Sequence, residues 1–141
     1  SYVKEDYDYI FIDCPPSLAI LSVNAMMASD EIVVPVQAQT FAMDGLVQLL
    51  DTYKKIRKGA NTRLTIRGFI MTMTQRTTQS RDVETVMREQ FGNSVYRTTI
   101  GMSTVAADST TYQKSVMSYA EDANLSPDSK KGKALAKIGQ Q

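Results

Sequence analysis

Apolar and polar positions along the chain alternate between two rhythms, a period of two in short runs and a helical period in longer ones. Residues 7–13, "YDYIFID", are rich in β-branched and aromatic types and predict a mostly buried strand. "LAILSVNAMMAS" then predicts a helix, with Ser17 as its cap. A second short strand is expected at 31–37, "EIVVPVQ", where Pro35 argues against a central place unless it lies at a strand end or a bulge. "MDGLVQLLDTYKKIRKG" places Leu46, Leu49, Leu50, Tyr53 and Ile56 on one helical stripe, with Gly59 as the stop. A third strand is predicted at 64–74, with Met71 and Met73 on one face. The following helix has Ser80 as cap and Val83, Val86, Met87 and Phe91 inward, and a fourth strand covers 94–100. The resulting β-α-β-α-β-α-β order predicts an α/β fold: a doubly wound, mainly parallel sheet with helices on both faces. Residues 101–120 are less regular, and 121–141 read as a polar tail with one short helix.

Composition narrows the chemistry. The 141 residues are 43% hydrophobic and 22% charged, close to an ordinary globular domain. No run of 18 apolar residues predicts a membrane span. The acidic, aromatic start is unlike a signal peptide, and a cytoplasmic setting is expected. The lack of histidine excludes a Ser-His-Asp triad, and with a single cysteine, Cys14, it also argues against a structural zinc site. Cys14 reads as a small residue packed at a strand end. The net charge of +1 conceals an asymmetry: residues 1–51 carry one base and eight acids, whereas residues 52–141 carry fifteen bases and seven acids. Such a split marks either a surface for nucleic acid or ordinary solvated helix faces.

Asp13 is the residue with the most chemical interest. Ligands in open α/β sheets bind beyond the carboxyl ends of the strands. A carboxylate ending the first strand, followed by the stiff Pro15-Pro16 pair, suits a phosphate–metal complex. The same residues also suit a plain turn before a helix.

"YDYIFIDCPPSLAILSVNAMMASDEIVVPVQAQTFAMDGLVQLL" resembles the middle of ParA-type partition ATPases, the deviant-Walker P-loop group. The pattern there runs Y-D-[YF]-I-[IF]-I-D-C-P-P-S-L-x-x-L-[ST]-x-N-A, and the resemblance continues through "GFIMTMTQRTTQSRDV" and "FGNSVYRTTI". It implies that residues 1–120 are the carboxyl-terminal part of such a nucleotide-binding domain. It implies ATP and Mg²⁺ as cofactors of the family, with Asp13 as the Walker B carboxylate reaching the metal through water. Pro15 and Pro16 then belong to the loop that senses the terminal phosphate, and Thr72, Met73, Gly101 and Met102 to the region that holds adenine. Phe41 to Leu46 resemble a segment near the dimer face. Arg76, Arg81, Lys54 and Lys55 are the candidates for phosphate contacts with DNA.

The sequence also departs from that pattern. It contains no K-G-G-x-G-K-[ST] loop, so this chain alone is expected to bind no nucleotide and not to hydrolyse ATP. Gly101 stands where the family commonly has proline, Met102 and Val105 where it has arginines, and Ser115 where it has a second proline. The resemblance therefore implies part of an ATPase for plasmid or chromosome partition. The intact ATPase would dimerise with ATP, bind DNA nonspecifically on the nucleoid and answer to a centromere-binding partner protein. The alternative is a stand-alone, non-catalytic module that associates with itself, with ParA-like subunits or with DNA as a regulator or decoy.

Overall fold

The computed structural model describes residues 5–39 and 42–122. They form α1 (Ile20–Ala28), β1 (Glu31–Gln37), α2 (Ala42–Gly59), β2 (Thr65–Thr74), α3 (Thr78–Phe91), a 3₁₀ turn (Gly92–Ser94), β3 (Val95–Gly101), α4 (Thr104–Thr111) and α5 (Val116–Asp122). The strands make one sheet in the order β1-β2-β3, with β2 and β3 parallel, as expected for an α/β fold built from strand–helix–strand units. The chain divides into two compact units, residues 1–32 with 43–67 and residues 33–42 with 68–141. The short helix expected within 121–141 and the segment around Phe41 fall wholly or partly outside the described residues.

In the first unit a small core forms around Met26 of α1, Ile56 of α2 and Leu64, with Leu18, Val23, Ile32, Leu49 and Tyr53 packed against it. The α2 stripe read from the sequence supplies three of these residues, because positions three, four and seven apart share a helix face. Tyr53 keeps its ring on this core while its hydroxyl donates to the Leu64 carbonyl at 3.3 Å. Asn61, in the turn after α2, ties the helices together. Its side-chain nitrogen lies 3.1, 3.2 and 2.7 Å from the carbonyls of Met26, Met27 and Ser29 and donates to them, occupying acceptors that the end of α1 would otherwise leave bare.

The first expected strand is absent. Residues 9–15 have neither helical nor strand pairing, and Tyr9, Ile10, Phe11 and Ile12 are exposed, Phe11 by 91%. The sequence pattern encodes a strand buried on both faces, and such a strand needs neighbours on both edges. No described residue pairs with it. The helix after it begins two residues later than a Ser17 cap would place it. Ala19 is its N-cap and makes no side-chain bond, so Ser17 is not a cap.

In the second unit β2 buries Gly68, Phe69 and Met71. Phe69 packs on Phe91 of α3 with ring centroids 4.6 Å apart, and Met87 is fully buried. Two details of α3 differ from expectation. Thr77, not Ser80, is the N-cap, its hydroxyl accepting from the Ser80 amide at 3.2 Å. Ser80 is buried inside the helix, and its Oγ accepts from the Gln75 amide at 3.0 Å. Val86 is exposed rather than inward, since Val83 and Met87 already fill the stripe beside it.

Met73 does not share the buried face of Met71. Its φ of +52° breaks the strand's alternation, and its side chain is exposed. The register shows why: Met71 faces Thr99 and Thr74 faces Gly101, so β2 carries one more residue than β3 across this interval, a bulge.

Pro35 fits the sheet because β1 is an edge strand among those described. The Ala38 amide just beyond β1 donates to Thr72 at 3.0 Å. Amide direction alternates along a strand, so positions 34 and 36 also face β2, and the missing Pro35 donor lies on the outer edge.

Two substitutions test this packing. A Cβ on Gly68 would sit 2.9 Å from the Ser94 carbonyl oxygen and 3.0 Å from the Tyr96 ring, whereas one on Gly101 would come no nearer than 3.8 Å to any atom outside its chain neighbours. Gly68→Ala is therefore expected to cost about 1–3 kcal/mol and Gly101→Ala close to nothing, measured by urea unfolding. Asn61→Ala strips donors from three carbonyls and should cost a further ~1–3 kcal/mol in the same assay.

Candidate functional site

The residues of chemical interest fall in both units, and each group has its own local architecture. In the first unit Asp13 lies within an exposed segment that runs on to Ser17. Cys14 is exposed too, its thiol donating to the Ile12 carbonyl at 3.6 Å, so it is not the packed strand-end residue expected. Pro15 and Pro16 follow, and the loop is then fixed to α1 from below. The Ser22 hydroxyl is the anchor. Ser22 is buried and its Oγ lies 2.6 Å from the Ser17 carbonyl and 3.4 Å from that of Pro15. Leu18 holds the same loop by packing on the Met26–Ile56–Leu64 core.

Ser22 was not among the candidate site residues. The sequence signal was available nonetheless: the family pattern admits only serine or threonine at that position, and a hydroxyl two turns past a Pro-Pro pair can reach back to its carbonyls.

In the second unit the carboxyl ends of β2 and β3 come together, which unites Thr72, Met73, Gly101 and Met102. The Met102 amide donates to the Thr74 carbonyl at 3.1 Å, and the Thr74 hydroxyl lies 3.4 Å from the Ile100 carbonyl. The Gln75 side-chain amide donates to the Met102 sulfur at 3.2 Å. The loop from Gln75 to the α3 cap borders these strand ends, and Arg76 and Arg81 are joined there by an Arg81 Nη2 to Arg76 carbonyl bond at 3.5 Å. Both arginines are exposed, as are Lys54 and Lys55 on α2, where Lys54 lies 3.9 Å from Asp51.

The α4 region explains one departure from the family pattern. Val105 is 1% exposed, so this position is part of the second unit's core and has no room for a solvated arginine. Ser103 caps α4 through the Val105 amide at 3.2 Å.

A metal bound here would find one carboxylate, Asp13. Among the described residues no group of three or more His, Cys, Asp or Glu side chains could enclose a cation. One exposed carboxylate fits Mg²⁺ held chiefly by water and phosphate oxygens, and does not make a metal centre by itself. No helix among the described residues is long and apolar enough to cross a membrane.

Known proteins resemble this chain over most of its length. A family model described as an AAA domain matches residues 1–66. The chain is 41% identical over 118 residues to the sporulation initiation inhibitor protein Soj of Bacillus subtilis, covering 83% of this chain and 47% of Soj. It is 40% identical over 114 residues to the chromosome partitioning protein ParA of Caulobacter vibrioides, covering 80% and 43%. Among solved structures, cobyrinic acid a,c-diamide synthase from Mycobacterium smegmatis, with a bound ATP analogue and magnesium, superposes with a TM-score of 0.65 at 31% identity over 87% of this chain and 48% of that one. Apo McdA from Cyanthece reaches 0.73 over 98% and 56%, at 20% identity, a likeness of fold. The chain spans about half the length of the relatives it matches. Across that half, the chain is similar to the chromosome-partitioning proteins Soj and ParA.

Proposed function

We propose that the chain is the carboxyl-terminal portion of a ParA/Soj-type partition ATPase, contributing Asp13 to the magnesium and the ends of β2 and β3 to the adenine. The observation that carries this reading is the 41% identity to Soj over 118 residues. The Ser22-anchored loop supports it, because a phosphate-sensing turn has to be held at its base while its tip stays exposed. The bulged end of β2 beside Gly101 and Met102 supports it as well: irregular backbone at a strand's carboxyl end leaves room for a planar ligand.

In this reading the whole ATPase works in the cytoplasm, dimerises with ATP and coats DNA without base preference. A centromere-binding partner protein then stimulates hydrolysis. The exposed bases Lys54, Lys55, Arg76 and Arg81 supply phosphate contacts. Affinity for DNA should then fall steeply as salt is raised and vary little with sequence.

The test is a hybrid in which this chain replaces the matching half of Bacillus subtilis Soj. The hybrid should hydrolyse ATP, and Asp13→Ala should lower the rate about 100-fold or more by removing the carboxylate that positions the metal. The chain alone, titrated calorimetrically with ATP and Mg²⁺, should give no heat. A hybrid that folds by circular dichroism yet binds no nucleotide would sink the proposal.

A further inference from the structure

Pro15 and Pro16 carry no amide hydrogen, so the loop between Asp13 and α1 is held through its carbonyls. Two of these, on Pro15 and Ser17, converge on one group, Ser22 Oγ, at 3.4 and 2.6 Å. Ser29 and Thr52 show the ordinary arrangement for a helix hydroxyl, each donating to the carbonyl four residues back at 2.7 and 2.9 Å. Ser22 instead reaches five and seven residues back, out of α1 and into the loop. Its side chain is buried, so water competes little for its proton.

A hydroxyl has one proton and donates to one carbonyl at a time. The 2.6 Å contact is a full O–H···O bond, whereas 3.4 Å lies beyond the usual range. The proton is therefore on the Ser17 carbonyl, with the Pro15 carbonyl next in line. A shift of roughly 0.6 Å would bring that second carbonyl to ordinary bonding distance. The exchange trades one hydrogen bond for another and leaves no buried donor bare, so its cost is small. The loop is also stiff. Both prolines fix φ, and the residues before them, Cys14 and Pro15, are kept extended. A displacement at Pro15 is thus passed along the chain toward Asp13 rather than absorbed.

We infer that Ser22 is a positioning residue with two settings: its proton on Ser17 holds the loop in one place, its proton on Pro15 holds it in another, and the terminal phosphate of a bound nucleotide selects between them. This role rests on the partition-ATPase reading and deepens it by giving the phosphate-sensing loop a defined pivot. Ser22 touches no phosphate in either setting and acts through the prolines and Asp13. A nucleoside triphosphate and a diphosphate are told apart by which setting each stabilises.

The chain alone supplies the reference. The ¹³C signal of the Ser17 carbonyl, read by NMR through the Leu18 amide, should move upfield in Ser22→Ala, where its donor is gone. A signal that stays in place would overturn the inference at its first step. The hybrid with the amino-terminal half of Bacillus subtilis Soj then tests selection by nucleotide. With Mg²⁺ and either ADP or a non-hydrolysable ATP analogue, the Ser17 signal should differ between the two nucleotides, and Ser22→Ala should abolish the difference. A static anchor would leave Ser17 bonded with both. Ser22→Ala should also lower kcat about five-fold or more with KM for ATP changed less than about two-fold, and Ser22→Thr, which keeps the donor, should retain the rate. A folded hybrid that binds neither nucleotide overturns the ATPase reading and this role together. A hybrid that binds both with one unchanged Ser17 signal, or a Ser22→Ala hybrid with undiminished kcat, overturns this role alone.

Discussion

Backbone pairing of β2 on both of its edges is the constraint on which the described structure depends. A central strand must hide its side chains as well as its amides, and β2 does so through Gly68, Phe69 and Met71, with Leu64 buried just before it. The demand for a glycine at 68 follows from it. The carbonyl of Ser94 and the ring of Tyr96 come so close that a methyl group could be added only by displacing them. Phe91 and Met87 are placed by the same strand, since α3 has to cover what β2 turns toward it. The β2–β3 register shifts between Phe69 and Met71 and again between Met71 and Thr74, and at Met73 an extra residue ends the buried alternation beside the candidate adenine-holding residues.

The two groups of candidate residues are stabilised by different means. The Asp13 loop has no ladder, and its order comes from one buried hydroxyl and one apolar side chain, Ser22 and Leu18. The ends of β2 and β3 are held by the sheet itself and by the Met102 amide. A loop secured only at its base can shift its tip without disturbing the core below, whereas a strand end cannot.

Much of this was legible in the sequence because periodicity reports burial. The α2 stripe, the positions of β1, β2 and β3, and the inward Met87 all follow from spacing. Residues 7–13 were misread for an instructive reason. Their pattern describes a fully buried strand correctly, but a pattern cannot supply the neighbours that bury it. Ser17 and Ser80 failed as caps because several hydroxyls stood within reach of each helix start. The geometry, not the residue type, chose Ala19 and Thr77. The bulge at Met73 had no signal at all, since methionine rarely adopts a positive φ and glycine was the residue to look for. At the candidate site, the residues named come from the family resemblance alone, while the anchoring role of Ser22 needed coordinates.

Asn61 carries a consequence for the lifetime of the molecule. Its amide nitrogen faces three carbonyl oxygens, an environment that admits a donor and nothing else. Spontaneous deamidation to aspartate would exchange that donor for a carboxylate and set negative charge against three oxygen dipoles. One slow hydrolytic event at a single side chain would thus turn the clamp between α1 and α2 into a repulsive contact. Loss of that one amide would therefore weaken the first unit by chemistry, separately from any thermal limit on its fold.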